Sequence, residues 1–223
     1  MGLRIAFWIA KAALVFVSLS IVLVVLFRFV PVTYTATMLL DENSVTRDWE
    51  PLSRIDRNMV SAVIAAEDGK FCSHNGFDVE AIEDALEEAA EGGRQRGAST
   101  ISQQTAKNVF LWQGGGWFRK GLEAWFTFLI ETLWDKRRIM EVYLNVAETG
   151  IGTYGVEAGS MRYFNHSAAR LSRDEASRIA AALPSPKKRE VVNPTGFTAR
   201  YGNTIEARIG VVRRDGLDSC VYE

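Results

Sequence analysis

The sequence contains few metal-binding or cross-linking residues. Two cysteines and two histidines in 223 residues are too few for a disulfide scaffold or a multi-cysteine zinc module. A formal net charge of −1 gives no reason to expect a nucleic-acid partner. The chain is 48% apolar and 24% charged, as in ordinary globular proteins, which excludes the disordered and collagen-like classes. At this length we expect one domain, or two at most.

Acidic residues are absent from the first 40 positions, which instead contain a long apolar run. The only charge in residues 5–27 is Lys11. As a helix this run would rise roughly 35 Å, which exceeds a hydrocarbon core of about 30 Å. We therefore predict an uncleaved transmembrane anchor. The alternative is a cleaved signal peptide, but bulky residues follow the run at 27–30, where a signal peptidase requires small ones.

The charges on the two sides of the apolar run predict its orientation. Arg4 lies on the short side, whereas residues 41–98 carry a net charge of −8. The positive-inside tendency then places the amino terminus in the cytoplasm and the remainder outside. We accordingly divide the chain into a short cytoplasmic segment with the anchor (1–34) and one domain (35–223). An outside location would allow Cys72 and Cys220 to pair, although we expect a buried thiol at Cys72 instead.

The domain is predicted to be mainly α. No linker rich in Pro, Ser or Gly divides residues 41–223, and strand patterns are few. Apolar spacing and capping residues predict helices at about 56–67, at 79–91 after Asp78, from Ser99 or Thr100 to about 110, at 118–133, at 136–145, from the Ser172 capping box to just before Pro184, and at 197–214.

Glu67 directly follows an apolar helical run. A carboxylate in this position can be partly desolvated, and desolvation raises its pKa toward the range that a general base needs. The alternative is an ordinary solvated acid at the end of a helix.

Residues 97–108 carry amides and hydroxyls where surface helices usually carry Lys and Glu. Gln104, Lys107 and Asn108 fall on one helical face, and a helix start followed by a lysine suits an anion or a sugar phosphate. The alternative is a buried polar helix that braces the fold.

Arg119, Lys120 and Glu123 open the next helix. They could hold a diphosphate, or they could form an ordinary surface pair. We interpret His74 as a hydrogen-bonded structural residue, and residues 187–189 as a solvated charge run near lipid headgroups.

Four motifs in one order suggest a family. They are Glu67-Asp-x-x-Phe-x-x-His-x-Gly-Phe-Asp, then Gly97-Ala-Ser-Thr-Ile-Ser-Gln-Gln-x-Ala-Lys-Asn, then Arg119-Lys-x-x-Glu, then Ile139-x-Glu-x-Tyr-Leu-Asn. Over roughly residues 50–195 the chain resembles the peptidoglycan glycosyltransferases (glycosyltransferase family 51). The resemblance implies a lysozyme-like helical domain with a partly membrane-embedded hydrophobic edge. We expect no transpeptidase domain after residue 223.

The resemblance also implies site residues. The family's catalytic glutamate falls on Glu67 and its second acidic residue on Glu123. The substrate-binding positions fall on Ser99, Thr100, Gln103, Gln104, Lys107, Asn108, Arg119 and Lys120. Many relatives carry a basic residue where this chain has Leu122, and residues 113–116 would lie in the family's mobile loop.

The implied reaction polymerises lipid II into β-1,4-linked glycan strands and releases undecaprenyl diphosphate. The implied location is the bacterial inner membrane, with one membrane span and the catalytic domain in the periplasm. The implied partners are lipid II, nascent glycan, membrane lipid, and cell-wall synthesis or division proteins. No metal ligand is assigned and no tightly bound cofactor is expected, although the resemblance allows a divalent cation (Mg or Mn). The alternatives are a lytic enzyme of the lysozyme type and a non-enzymatic envelope-binding module.

Overall fold

The computed structural model describes residues 2–93 and 97–222. This part of the chain is mainly helical, as predicted. Its α-helices are α1 (Gly2–Phe29), α2 (Ala36–Leu39), α3 (Arg57–Glu67), α4 (Val79–Ala90), α5 (Ile101–Phe110), α6 (Trp117–Leu133), α7 (Lys136–Val146), α8 (Val156–Phe164), α9 (Arg173–Ala182), α10 (Gly196–Arg214) and α11 (Ser219–Tyr222). Single 3₁₀ turns lie at Leu52–Arg54 and Ala168–Arg170.

Three short strands form a small sheet beside the helices. The strands are β1 (Thr46–Arg47), β2 (Glu148–Gly150) and β3 (Thr153–Tyr154). β3 lies in the middle, parallel to β1 and antiparallel to β2. The sheet therefore joins the segment that follows the first helix to the segment that follows α7.

α1 has the length and composition of a membrane span. It contains 28 residues, reaches a mean hydropathy of 2.7 and is largely exposed. Within residues 2–93 and 97–222 it is the one helix that meets both requirements. These properties suggest membrane anchoring, because an exposed apolar helix of this length matches the thickness of a bilayer.

The second half of α1 packs along α6. The Phe16 ring lies 6.4 Å from the rings of Trp125 and Phe126, and Trp134 Nε1 donates to the Val24 carbonyl at 2.8 Å. The two helices thus run side by side in the same direction. Arg138 on α7 donates to the Phe27 carbonyl at 2.8 Å, which satisfies a carbonyl that the end of α1 leaves unpaired.

Two groups of helices form the body of the domain. α3, α9 and α10 pack on one another, and α5 packs on α6 and α7. α9 contributes the buried small residues Ala176, Ala180 and Ala181, so its neighbours can approach closely. α3 ends at Glu67, close to where α5 begins, and the candidate site therefore lies where the two groups meet.

The local helix signals are confirmed. Asp78 accepts from Ala81 N at the start of α4, and Ser172 forms the predicted capping box with Glu175. Where the sequence left Ser99 and Thr100 open as the start of α5, the structure has Thr100 as the N-cap.

The expectation of a buried thiol at Cys72 is wrong, because Cys72 and Cys220 form a disulfide. Their Cα atoms lie 5.5 Å apart although the residues are separated by 148 positions. Asp218, whose side chain is fully buried, accepts from Arg57 Nη2 at 2.7 Å, and Arg137 donates to the Val221 carbonyl. These long-range contacts fold the last helix back onto α3 and α7, and local sequence patterns do not report them.

Residues 187–189 are not a uniformly solvated run. Lys187 Nζ lies 3.5 Å from Asp41 and 3.4 Å from Glu148. Lys188 is exposed, whereas Arg189 is partly buried. Lys187 and Lys188 are therefore exposed as predicted, although Lys187 also faces two carboxylates, whereas Arg189 is not a solvated charge.

Candidate active site

Glu67 is the last residue of α3, where the helix leaves the core. The residue is partly exposed. Its Oε2 accepts from Gln104 Nε2 at 2.8 Å, whereas Oε1 is buried and has no hydrogen-bond partner among the described residues. Burial raises the pKa of Glu67, opposed by the Gln104 hydrogen bond and by the charges of Arg189 and Lys107. A carboxylate with a free oxygen and a raised pKa can accept a proton near neutral pH.

α5 presents the amide that holds Glu67. Gln104, Lys107 and Asn108 lie on the partly exposed face of α5, at the spacing that the sequence predicted. The hydroxyl of Tyr143, a buried residue on α7, lies 3.4 Å from Gln104 Oε1. This contact fixes the amide so that its N–H₂ group points at Glu67.

Asp68 and His74 join the first two motifs. Asp68 accepts from His74 Nε2 at 2.9 Å and from the Ile101 N–H at 3.0 Å. Because His74 Nδ1 accepts from the Gly76 N–H, its Nε2 is the nitrogen that carries the donated hydrogen. The prediction of a hydrogen-bonded structural histidine is thereby confirmed, and the Asp68 carboxylate fixes the start of α5 against the segment after Glu67.

Gly76 closes this junction against α6. Its φ is +90°, and a Cβ atom there would lie 2.8 Å from Thr127 Cγ2. The Gly76 carbonyl accepts from the Thr100 hydroxyl at 2.7 Å. A residue with a side chain would therefore push the first motif away from both α5 and α6.

Thr100 and Gln103 form the capping box at the start of α5. Thr100 Oγ1 accepts from the Gln103 N–H, and Gln103 Oε1 accepts from the Thr100 N–H. Both residues are buried. Ser99 is exposed and lines a cleft of about 290 Å³ together with Glu67 and Arg208. Of these three predicted binding residues, Ser99 and the largely buried Thr100 line the cleft, and Gln103 lies in the helix cap beneath it.

Glu123 lies in a second, cationic part of the site. It is 3% exposed, and its two oxygens are occupied by Arg119 Nη1, at 2.6 Å, and by Lys120 Nζ. Arg119 also donates to the Gly115 carbonyl, whose residue has a φ of +80°. Leu122, the departure from the family pattern, packs against the core.

Lys107 connects the two carboxylates. Burial lowers the pKa of Lys107, and the charges of Arg119 and Lys120 lower it further, while Glu123 and Glu67 raise it. Its ammonium group therefore interacts with both Glu67 and the Glu123 cluster. An anion that arrived between them would favour the charged form of this lysine.

The residues of the site do not fit a divalent cation held by the protein alone. In the described ranges, no cluster of three His, Cys, Asp or Glu side chains is arranged to hold a metal ion. Both oxygens of Glu123 already contact cationic side chains. The divalent cation that the family resemblance allows therefore stays a prediction.

Sequence reasoning missed three residues around Glu67. Local patterns single out neither Tyr143 nor Tyr201, and they place Arg189 in a solvated charge run. The Tyr201 hydroxyl donates to the Ala66 carbonyl at 2.7 Å. No local pattern indicates these roles, because Arg189 and Tyr201 lie more than a hundred positions after Glu67.

A helical domain with a buried carboxylate beside a cationic cluster fits an enzyme that transfers a glycosyl group from an anionic leaving group. The family described as transglycosylase matches residues 34–209, and the chain belongs to this family.

Curated relatives match over nearly the whole chain. A biosynthetic peptidoglycan transglycosylase of Caulobacter vibrioides is 50% identical, over 93% of this chain and 92% of its own. Proteins with the same name from Rhodospirillum centenum and Bdellovibrio bacteriovorus are 45% and 50% identical. They match over 99% and 97% of this chain, and over 95% and 90% of their own length.

Proposed function

We propose that this chain is a peptidoglycan glycosyltransferase in which Glu67 is the general base of an inverting displacement. Glu67 Oε1 takes the proton from the 4-hydroxyl of the acceptor N-acetylglucosamine. That oxygen attacks C1 of the donor N-acetylmuramic acid, and the bond from C1 to the diphosphate breaks. The α-linked diphosphate becomes a β-1,4 glycoside, and undecaprenyl diphosphate leaves.

One observation carries this proposal: among the described residues, only one of the two Glu67 oxygens has a hydrogen-bond partner. Gln104 holds Oε2 at 2.8 Å, and Oε1 is buried without a hydrogen-bond partner among the described residues. A buried acceptor that lacks a donor is costly, so a substrate hydroxyl that donates to Oε1 would satisfy it. This hydrogen bond would also place the proton on the path to the base.

The cationic cluster suits the leaving group. Arg119 and Lys120 pair with a single carboxylate, Glu123, whose charge also acts on Lys107, so the summed charge of the three cations and Glu123 is positive. Fixed cations stabilise the negative charge that develops on a departing diphosphate. In this proposal Glu123 orients Arg119 and Lys120, and takes no proton itself.

The substrates are lipids, and the apolar surface beside the site suits them. Trp117 is 92% and Phe118 is 77% exposed at the start of α6, which runs alongside α1. In this proposal these side chains contact lipid. The anchor then holds the site at the bilayer, which raises the effective concentration of membrane-bound substrates.

The finer location is part of the proposal. The domain lies on the periplasmic side of a bacterial inner membrane, and the amino terminus lies in the cytoplasm. Arg4 on the short flank supports this orientation. The disulfide between Cys72 and Cys220 supports it too, because such bonds persist in oxidising compartments. Contacts with cell-wall synthesis or division proteins stay a prediction from the resemblance.

The test is to incubate the purified, detergent-solubilised protein with labelled lipid II and size the products on a gel. We expect a ladder of polymer that lysozyme digests. Unchanged lipid II, together with shortening of preformed glycan strands, would overturn the proposal and support the lytic alternative.

The Glu67→Gln variant tests the base within the same assay. Loss of a general base should lower the rate by about 10²–10⁴-fold, while the fold is retained. Glu83→Gln, at an exposed position of α4, is the matched control and should polymerise at the wild-type rate. Near-normal polymer from Glu67→Gln would refute the assignment of Glu67.

A further inference from the structure

Arg189 is held in a fixed place, although it lies in the loop between α9 and α10. Its Nη1 donates to the Ala181 carbonyl in the last turn of α9 at 2.7 Å. Its guanidinium carbon lies 5.1 Å from the ring centroid of Phe197 and 5.8 Å from that of Tyr201. The two rings stack on each other with centroids 5.6 Å apart. A planar guanidinium held by a helix end and an aromatic pair has little freedom to move.

The aromatic pair under Arg189 is bonded to the residue before Glu67. The Tyr201 hydroxyl donates to the Ala66 carbonyl at 2.7 Å, near the end of α3. Burial raises the pKa of Tyr201, and the charge of Glu67 raises it further, so this hydroxyl stays a donor at neutral pH. One chain of contacts thus runs from Arg189 through Tyr201 to Ala66, the residue that directly precedes the base.

Charged and titratable groups face Glu67 from every neighbouring element. Asp68 adjoins it in sequence, Lys107 faces it from α5, Tyr143 from α7, and Tyr201 and Arg208 from α10. Lys107 divides its influence between Glu67 and Glu123. Arg189 has no carboxylate within ion-pair distance in residues 2–93 and 97–222, which distinguishes it from Arg119 and Lys120.

Burial and the charge of Arg189 have opposite effects on the pKa of Glu67. Burial favours the protonated carboxyl group, which cannot act as a base. A nearby cation favours the ionised form, and the charge of Arg189 acts on Glu67 in this direction. Without such a cation, a larger fraction of the enzyme would hold Glu67 protonated at neutral pH.

We propose that Arg189 is a positioning residue for the catalytic base: through Tyr201 it fixes the end of α3, and its positive charge favours the ionised form of the Glu67 carboxylate. This inference rests on the proposed function, because it assigns Arg189 to the same proton transfer. It gives the loop after α9 a role in catalysis.

The test compares pH–rate profiles of lipid II polymerisation, between about pH 5.5 and 9, for the full-length wild type and its variants. In Arg189→Gln we expect the acid limb of kcat/KM to move to higher pH. The sign follows because the base must be ionised, and loss of a nearby cation disfavours ionisation. The rate should fall at least about threefold below neutral pH and recover as the pH rises.

Three further variants separate charge from structure. Arg189→Lys keeps the charge, so its acid limb should stay near that of the wild type. Tyr201→Phe keeps the ring but loses the bond to Ala66, so it should lower kcat without moving the limb. Lys188→Gln, in the exposed neighbouring position, should match the wild type. Thermal unfolding of each variant shows whether a loss of rate reflects a loss of fold.

An equal loss of rate at every pH in Arg189→Gln would overturn the inference, since a purely structural residue behaves in that way. A wild-type profile in this variant would overturn it too. Both results leave the proposed function intact as long as the wild-type protein makes polymer. A wild-type protein that makes no polymer from lipid II would overturn the proposed function itself.

Discussion

Glu67 and Glu123 are two carboxylates of the candidate site in opposite surroundings. Glu67 has one amide partner and one buried oxygen without a partner among the described residues. Glu123 is contacted by Arg119 and Lys120, which occupy both of its oxygens. In the proposed function this difference gives one residue type two roles. A carboxylate with an unpaired oxygen can take a proton, whereas one whose oxygens both contact cations can orient those cations.

The two carboxylates are also supported from different sides. The segment after Glu67 is tied to the C-terminal helix by the disulfide between Cys72 and Cys220. The helix that carries Glu123 packs instead against α1. The Glu67 region thus depends on a covalent link across the chain, and the Glu123 region on contacts with the apolar helix.

The largest expected effect on stability is the loss of that covalent link. The bond closes a loop that spans 148 positions, and removing a disulfide typically costs about 2–5 kcal/mol. A Cys72→Ser/Cys220→Ser double variant should therefore unfold at a clearly lower temperature, measured by tryptophan fluorescence in detergent. Ser73→Ala, in the exposed neighbouring position, is the control. An unchanged unfolding temperature in the double variant would mean that the Glu67 region does not need the link.

A substitution at Gln104 is expected to have a smaller effect in free energy, and on the rate instead of the stability. It tests the difference between the two carboxylates. Gln104→Met keeps the length of the side chain but removes the donor to Glu67 Oε2. A hydrogen bond to a charged group contributes about 1.5–3 kcal/mol, so the rate at neutral pH should fall roughly 10- to 150-fold.

The pH dependence of kcat/KM in Gln104→Met shows in which direction the hydrogen bond shifts the pKa of Glu67. The Gln104 hydrogen bond lowers the pKa of Glu67, so its loss should raise that pKa and move the acid limb of kcat/KM to higher pH. Gln113→Met, which removes an exposed amide, should leave the pH–rate profile unchanged. If both variants gave the wild-type profile, Gln104 would have no part in tuning the base.

The smallest effect is expected at Lys120, on the Glu123 side. Its side chain is 43% exposed, against 16% for Arg119, and exposed ion pairs contribute about 0.2–1 kcal/mol. Lys120→Ala should lower kcat/KM for lipid II by roughly two- to fivefold, and added salt should reduce the difference. Initial rates over a range of lipid II concentrations check this, with Lys188→Ala as control. A loss as large as that of Glu67→Gln would contradict the small contribution that the exposure of Lys120 implies.

Local signals in the sequence predicted the long helices other than α8, and the polar face of α5, but they did not predict α2, α8 or α11. Ser172 with Glu175 and Asp78 mark helix starts through contacts a few residues apart, and a pattern can report such contacts. The i, i+3, i+4 spacing likewise put Gln104, Lys107 and Asn108 on one face.

Long-range contacts were the part that the sequence did not predict. The disulfide partner of Cys72 lies 148 positions away, and the stacking of Arg189 on Tyr201 depends on how α10 packs against α3 and α9. No periodicity encodes such neighbours. For the same reason the sequence indicated Glu67 as a candidate base but did not reveal that one of its oxygens is left without a hydrogen-bond partner.

The central claim is that Glu67 performs the chemical step while Glu123 orients the diphosphate-binding cations. The most direct test measures the affinity for lipid II and the rate of polymerisation side by side in Glu67→Gln and Glu123→Gln. We predict that Glu67→Gln binds lipid II like the wild type but loses about 10²–10⁴-fold in rate, and that Glu123→Gln binds with altered affinity and still polymerises. Polymer from Glu67→Gln at a near-normal rate, or a loss of rate in Glu123→Gln as large as that in Glu67→Gln with unchanged affinity, would contradict the claim.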